Sequence, residues 1–143
     1  MILLLGDPRL RIKASPVTFP LSATVHHEKE LLEKALKDFQ HEKGFGRAIA
    51  APQIGISERF IALNVGDKQL TIFNPVISWQ SEETFLLWDE HGKEKVWEQL
   101  DPSTSELLQH EIDHLDGVLA IDRAIDRESI VYRSVIKELK RTG

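Results

Sequence analysis

Two histidines four residues apart, His110 and His114, with Glu111 beside the first, restrict this chain more than any other feature. They form the run His110-Glu111-Ile112-Asp113-His114, an HExxH pattern. On a helix, residues four apart stand one turn apart on the same face. Both imidazoles can then reach one metal ion, with the glutamate next to it. The helix itself is well marked. Ser103 followed by Glu106 is a capping-box signature, and Asp101-Pro102 is a competing start with proline at the first helical position. Gly117 stops it. Leu107, Leu108, Ile112 and Leu115 flank the His-Glu-His stripe, so this helix is expected to be mostly buried. Buried imidazoles and a buried carboxylate are costly without partners, and a metal ion supplies one. The plainer alternative is a polar helix face whose histidines are solvated or hydrogen-bonded.

Composition bounds the function classes. A chain of 143 residues points to one domain, residues 1–143, large enough to bury a real core. The net charge of -5 leaves no basic footprint for nucleic acid and no polybasic patch for a membrane surface. With no cysteine, a disulfide framework, a thiolate metal site and a cysteine nucleophile are all excluded. The opening run from Met1 to Leu5 meets Gly6-Asp7-Pro8. It is too short for a membrane span or a signal-peptide core, so a cytoplasmic protein is expected.

Pro8, Pro16 and Pro20 make residues 1–20 an extended arm, with Leu10, Ile12 and Val17 available as anchors. Residues 22–43 carry Val25, Leu32, Leu36 and Phe39 at helical spacing, and Gly44 ends that helix. His26 and His27, in its first turn, read as surface histidines, with a ligand role as the lesser alternative. The small residues from Gly44 to Gly55 let backbone approach a neighbouring chain or ligand closely, and Pro52 excludes a helix interior. Residues 60–65 and 70–73 read as a hairpin around Gly66-Asp67, with Asn74-Pro75 as a turn. Residues 76–79, 84–88 and 94–97 read as further short strands, and residues 118–121 as a brief apolar run. A last helix is expected from Arg127 to Arg141. Strands run together rather than alternating with helices. The expected class is therefore α+β, with antiparallel β-sheets packed around a central HExxH helix, an N-terminal helix and a C-terminal helix.

Three stretches taken together resemble the peptide deformylase family. Leu5-Gly6-Asp7-Pro8-Arg9-Leu10 followed by Ala14-Ser15-Pro16-Val17 is similar to its N-terminal arm. Gly46-Arg47-Ala48-Ile49-Ala50-Ala51-Pro52-Gln53 resembles its first motif, with Ala48 where a glycine is common. Gln109-His110-Glu111-Ile112-Asp113-His114-Leu115-Asp116-Gly117 resembles its third motif. The resemblance implies a hydrolase that removes the N-formyl group from the starting methionine of nascent polypeptides. It implies N-formylmethionyl peptides as substrates, with ribosome-associated nascent chains as their source. Its implied cofactor is a divalent metal, ferrous iron first, with zinc or nickel as alternatives. It assigns His110 and His114 as metal ligands, Glu111 as the proton carrier and Gln53 as a donor to the developing oxyanion. Such a donor is worth roughly 3 kcal/mol. Backbone at Gly46, Arg47 and Ala48 would pair with an extended substrate, as in strand addition.

The family's second motif, which supplies a cysteine as third metal ligand, has no counterpart here. Trp88-Asp89 runs straight into Glu90-His91-Gly92-Lys93, as though a segment were missing. Asp89, Glu90 and His91 sit where that motif would begin, so each is either an ordinary turn residue or a replacement ligand. Two rival readings stand beside the hydrolase. One is a relic of the fold that acts as a binding module. The other is a generic HExxH metallopeptidase that recruits Glu128 from the last helix.

Overall fold

The computed structural model describes residues 2–44, 47–65, 68–77, 84–98 and 100–119. Their order is α1 (Ala23–Lys43), β1 (Ala48–Ala50), β2 (Phe60–Val65), β3 (Lys68–Ile77), β4 (Phe85–Trp88), β5 (Glu94–Trp97) and α2 (Pro102–Leu115). The strands form one antiparallel sheet in sequential order, β1-β2-β3-β4-β5. The α+β expectation holds, as a single sheet. The helix expected at 127–141, together with Gly46 and Glu128, lies outside the described residues. Among the described residues, no helix is long and apolar enough to cross a membrane.

The alternation of side chains along a strand explains the layering. On β2, Phe60 and Ala62 point into one core with Val25, Leu32 and Leu36 of α1. Ile61 and Leu63 point into a second core with Leu108, Ile112 and Leu115 of α2. The sheet is therefore covered on both faces, which is why residues 60–63 read as an unbroken apolar run. α1 begins as its sequence suggests, with the Ser22 hydroxyl accepting from Val25 N at 3.1 Å. It ends at Gly44, whose φ of 76° few other residues adopt readily.

Three sequence readings change. β3 runs unbroken through Asn74-Pro75, where a turn was expected. Register shifts between Phe73 and Val76, so proline sits in a bulge where no ladder hydrogen bond is required of it. Asn74, at φ 50°, accepts from Val17 N at 2.7 Å and donates to Val17 O at 2.8 Å, so its amide stands in for a strand partner. The second change is in the small-residue segment. It is an edge strand, β1, followed by a 3-10 turn, Ala51–Ile54, with proline near its start. Third, the N-terminal arm is not wholly extended. It contains a 3-10 turn, Pro8–Arg11, capped by Asp7. Leu10 and Val17 anchor the arm, but Ile12 stays 48% exposed. Val118 and Leu119, the described part of the apolar run, lie outside any helix or strand.

Candidate active site and metal centre

Of the two competing starts for α2, Asp101-Pro102 wins. Asp101 accepts from Thr104 N at 3.1 Å and from the Thr104 hydroxyl at 2.7 Å, with Pro102 in the first turn. These bonds hold the Asp101 carboxyl below its ordinary range. At the other end Gly117 has φ 74°, and a Cβ there would run into the carbonyl oxygen of Arg11. The arm thus closes the helix, with Ala14 N donating to Leu115 O at 2.7 Å. Arg59, which the sequence reading passed over, joins this end. Its guanidinium meets Asp116 at 2.8 Å and Leu115 O at 3.2 Å. The signal available for it was only general: cationic side chains suit helix C-termini.

Between these fixed ends the two histidines of the HExxH run converge. The Nε2 atoms of His110 and His114 lie 3.1 Å apart, with the rings edge to face at 4.7 Å. His114 is buried and His110 half-buried, so the pair is reached from the His110 side. Burial first, and the neighbouring His110 second, push the His114 imidazole down to about 3. It is therefore neutral at physiological pH, the state in which imidazole donates a lone pair. Its Nδ1 is buried with no hydrogen bond among the described residues. Glu111 is 2% exposed, and its Oε2 is sealed from solvent.

Gln53 is 4% exposed, on the 3-10 turn that packs against α2. Its Oε1 accepts from Ala50 N at 2.9 Å, which turns its amide hydrogens the other way. Its own carbonyl accepts from Leu3 N at 2.7 Å, so the turn is held at the backbone as well. β1 also packs against α2. Arg47, just before β1, donates to the hydroxyls of Ser103 at 2.8 Å and Thr104 at 3.3 Å. Its backbone carbonyl accepts from Asn64 N at 2.7 Å. Ala48 opens β1, opposite Leu63.

The histidine pair fits a metal ion. Two bonds of about 2.0–2.1 Å at a tetrahedral angle set the nitrogens roughly 3.3 Å apart, and 3.1 Å is close to that. A third donor is another matter. Among the described residues no group of three metal-ligating side chains is assembled. The three residues at the β4–β5 junction are occupied elsewhere. Asp89 accepts from His91 N and Lys93 N, both at 2.9 Å, which builds the turn. Glu90 meets Lys29 of α1 at 3.4 Å, on the face of the sheet away from α2, and the His91 side chain is 83% exposed. His26 and His27 are exposed on α1.

Comparison with known proteins identifies the family. The model of the polypeptide deformylase family matches residues 1–90 and 86–129, two stretches that overlap across the end of β4 and the start of the turn after it. The peptide deformylase of Thermotoga maritima is 32% identical over 160 residues, covering 96% of this chain and 94% of that protein. That alignment is 160 positions long against a chain of 143, so at least 17 positions of the relative face no residue here. The peptide deformylase of a Parafrankia strain is 38% identical, covering 97% of this chain and 84% of that protein. Among solved structures, the Thermus thermophilus peptide deformylase superposes with a TM-score of 0.71 at 30% identity, covering 97% and 96% of the two chains. The Thermotoga maritima crystal structure gives 0.70, also at 30% identity, covering 85% and 95%. Sequence and fold agree: this chain belongs to the peptide deformylase family of metallohydrolases.

Proposed function

We propose that the chain hydrolyses the formyl amide at the starting methionine of nascent polypeptides, in the cytoplasm. The observation that carries this reading is the convergence of His110 and His114 at 3.1 Å beside a buried Glu111. His110 and His114 would hold the metal, ferrous iron first, with zinc or nickel as alternatives. A bound divalent ion would supply Lewis acidity toward water and the formyl carbonyl.

The chain's own residues do the rest. An extended substrate pairs with backbone at Gly46, Arg47 and Ala48. Gln53, anchored through Oε1, directs its amide N–H at the formyl oxygen as negative charge develops there. Glu111 takes a proton from the attacking water as the water oxygen adds to the formyl carbon. The C–N bond then breaks, and Glu111 returns the proton to the leaving amine. The products are formate and a free α-amino group. Burial of Glu111 keeps bulk water from competing for that proton.

The absent cysteine, and the lack of a three-ligand group among the described residues, favour one second reading: a relic that binds without turnover. Formate release from a formyl-methionyl peptide, measured with the full chain supplied with iron(II), nickel(II) or zinc(II), separates the two. Turnover that Glu111→Gln abolishes supports the hydrolase. Folded, full-length protein that releases no formate with any of the three ions overturns it in favour of the relic.

A further inference from the structure

We propose that Arg59 is the positioning residue for the histidine pair: it locks the last turn of α2 so that His114 stays in reach of His110. This rests on reading the two imidazoles as the metal-binding pair. The last carbonyls of any helix lack partners within it, so the final turn is the part most free to fray. In α2 that turn carries His114, while His110 sits one turn deeper in the hydrogen-bonded ladder.

In α2 the last carbonyls take backbone donors from the turn and the arm, Leu115 O from Ala14 N at 2.7 Å among them, and Arg59 adds a charged one. Its guanidinium, with the side chain only 11% exposed, donates to Leu115 O at 3.2 Å and pairs with Asp116 at 2.8 Å. It also reaches Ala14 O at 3.4 Å, so arm and helix share one cation. Its own backbone is held on both sides. Arg59 N donates to Ser15 O at 2.9 Å, and Arg59 O accepts from Asn74 N at 2.8 Å. The cation therefore transmits the position of the sheet to the residues directly after His114. Arg59 touches neither imidazole; it acts through Leu115 and Asp116. All three contacts are made by the one nitrogen Nη1, so a lysine could keep the charge on Asp116, but from a shorter side chain it reaches the two carbonyls less well.

The test compares Arg59→Met, Arg59→Lys and Leu36→Ala in the full chain. Leu36→Ala weakens the α1 side without touching α2, so it controls for lost stability. The first readout needs no metal: the imidazole ¹⁵N spectrum of the metal-free protein, which reports whether the two rings still share a proton. The second is cobalt(II) titration. Arg59→Met is expected to shift the His114 nitrogens toward those of an isolated imidazole and to weaken cobalt binding by about tenfold. Arg59→Lys should shift both in the same direction but less, and Leu36→Ala neither. If Arg59→Met does not fold, Arg59→Lys against Leu36→Ala decides by the same signs. An unchanged His114 spectrum, or equal changes in the arginine and leucine variants, overturns the proposal. Wild-type protein that binds no cobalt counts against the metalloenzyme reading, and the metal-free spectra still decide the role of Arg59.

Discussion

The two faces of the sheet are packed by different rules. On the α1 face, Leu32, Leu36, Phe60 and Phe73 are all but fully buried, and the rings of Phe60 and Phe73 lie 5.5 Å apart. The buried polar group there, Thr71, donates to Glu33 at 2.7 Å. On the α2 face, Leu108, Ile112 and Leu115 share the interior with Ser105, Glu111, His114 and Gln53. Burying such groups costs free energy that apolar side chains would not. One face is thus spent on cohesion. The other gives up some cohesion to hold polar groups away from water, and the fold tolerates this because the sheet between them is shared.

That contrast makes opposite predictions for substitutions on the two sides. The largest effect belongs to Glu111→Gln, which removes the proposed proton carrier and keeps the shape. It should lower formate release by about 10²–10⁴-fold while leaving the thermal midpoint unchanged or higher. A loss of activity accompanied by an equal loss of stability would erase the distinction between the faces. Phe73→Ala should do the reverse. It is expected to cost about 3–5 kcal/mol in urea unfolding and leave cobalt affinity unchanged at temperatures where the protein is folded.

Gly117→Ala tests the seam between arm and α2. A non-glycine residue at φ 74° with Arg11 O in the way should cost about 1–3 kcal/mol, and the loss should carry the metal site with it. If stability falls and metal affinity does not, the helix end matters less to the site than its geometry suggests. A smaller effect sits on the α1 side. Glu28 is half-buried and hydrogen-bonded to Glu58, and burial first, then that neighbour, raise its carboxyl to about 7. A carboxyl whose pKa is raised on folding stabilises below its unfolded value, and that contribution fades as pH climbs toward 7. After discounting for solvent screening, stability should drop by about 1 kcal/mol between pH 4.5 and 8 from this pair. Glu28→Gln should flatten that slope. Denaturant midpoints at the two pH values give the answer, and a slope that survives the substitution would rule the pair out.

How much of this was legible beforehand follows from how local each signal is. α1 could be read because its cap, its apolar period and its terminal glycine all lie within 23 residues of one another. The His-Glu-His stripe is likewise a matter of one helical turn. The continuity of β3 could not be read, because Asn74-Pro75 becomes strand only when Val17, 57 positions away, offers its backbone. β1 is three residues long and borrows its regularity from β2. Arg59 looked like one more charge before a strand, since its value lies in meeting Leu115, 56 positions on.

The least disruptive change predicted is Arg47→Ala, and it probes the exposed end of α2 against the sealed one. Arg59, its side chain only 11% exposed, works on two backbone carbonyls and the Asp116 carboxylate. Arg47 is exposed, and its partners are two hydroxyls that water can serve as well. Its removal should therefore change stability by no more than about 0.5 kcal/mol. Yet Arg47 ties the start of β1 to the first turn of α2, the two walls between which an extended substrate would lie. Loosening them should raise KM for a formyl-peptide several-fold and spare kcat, because Glu111 and Gln53 are held by other contacts. A fall in kcat at constant KM would mean that this end of the helix, too, governs the reacting groups, and the division of labour between its two ends would fail.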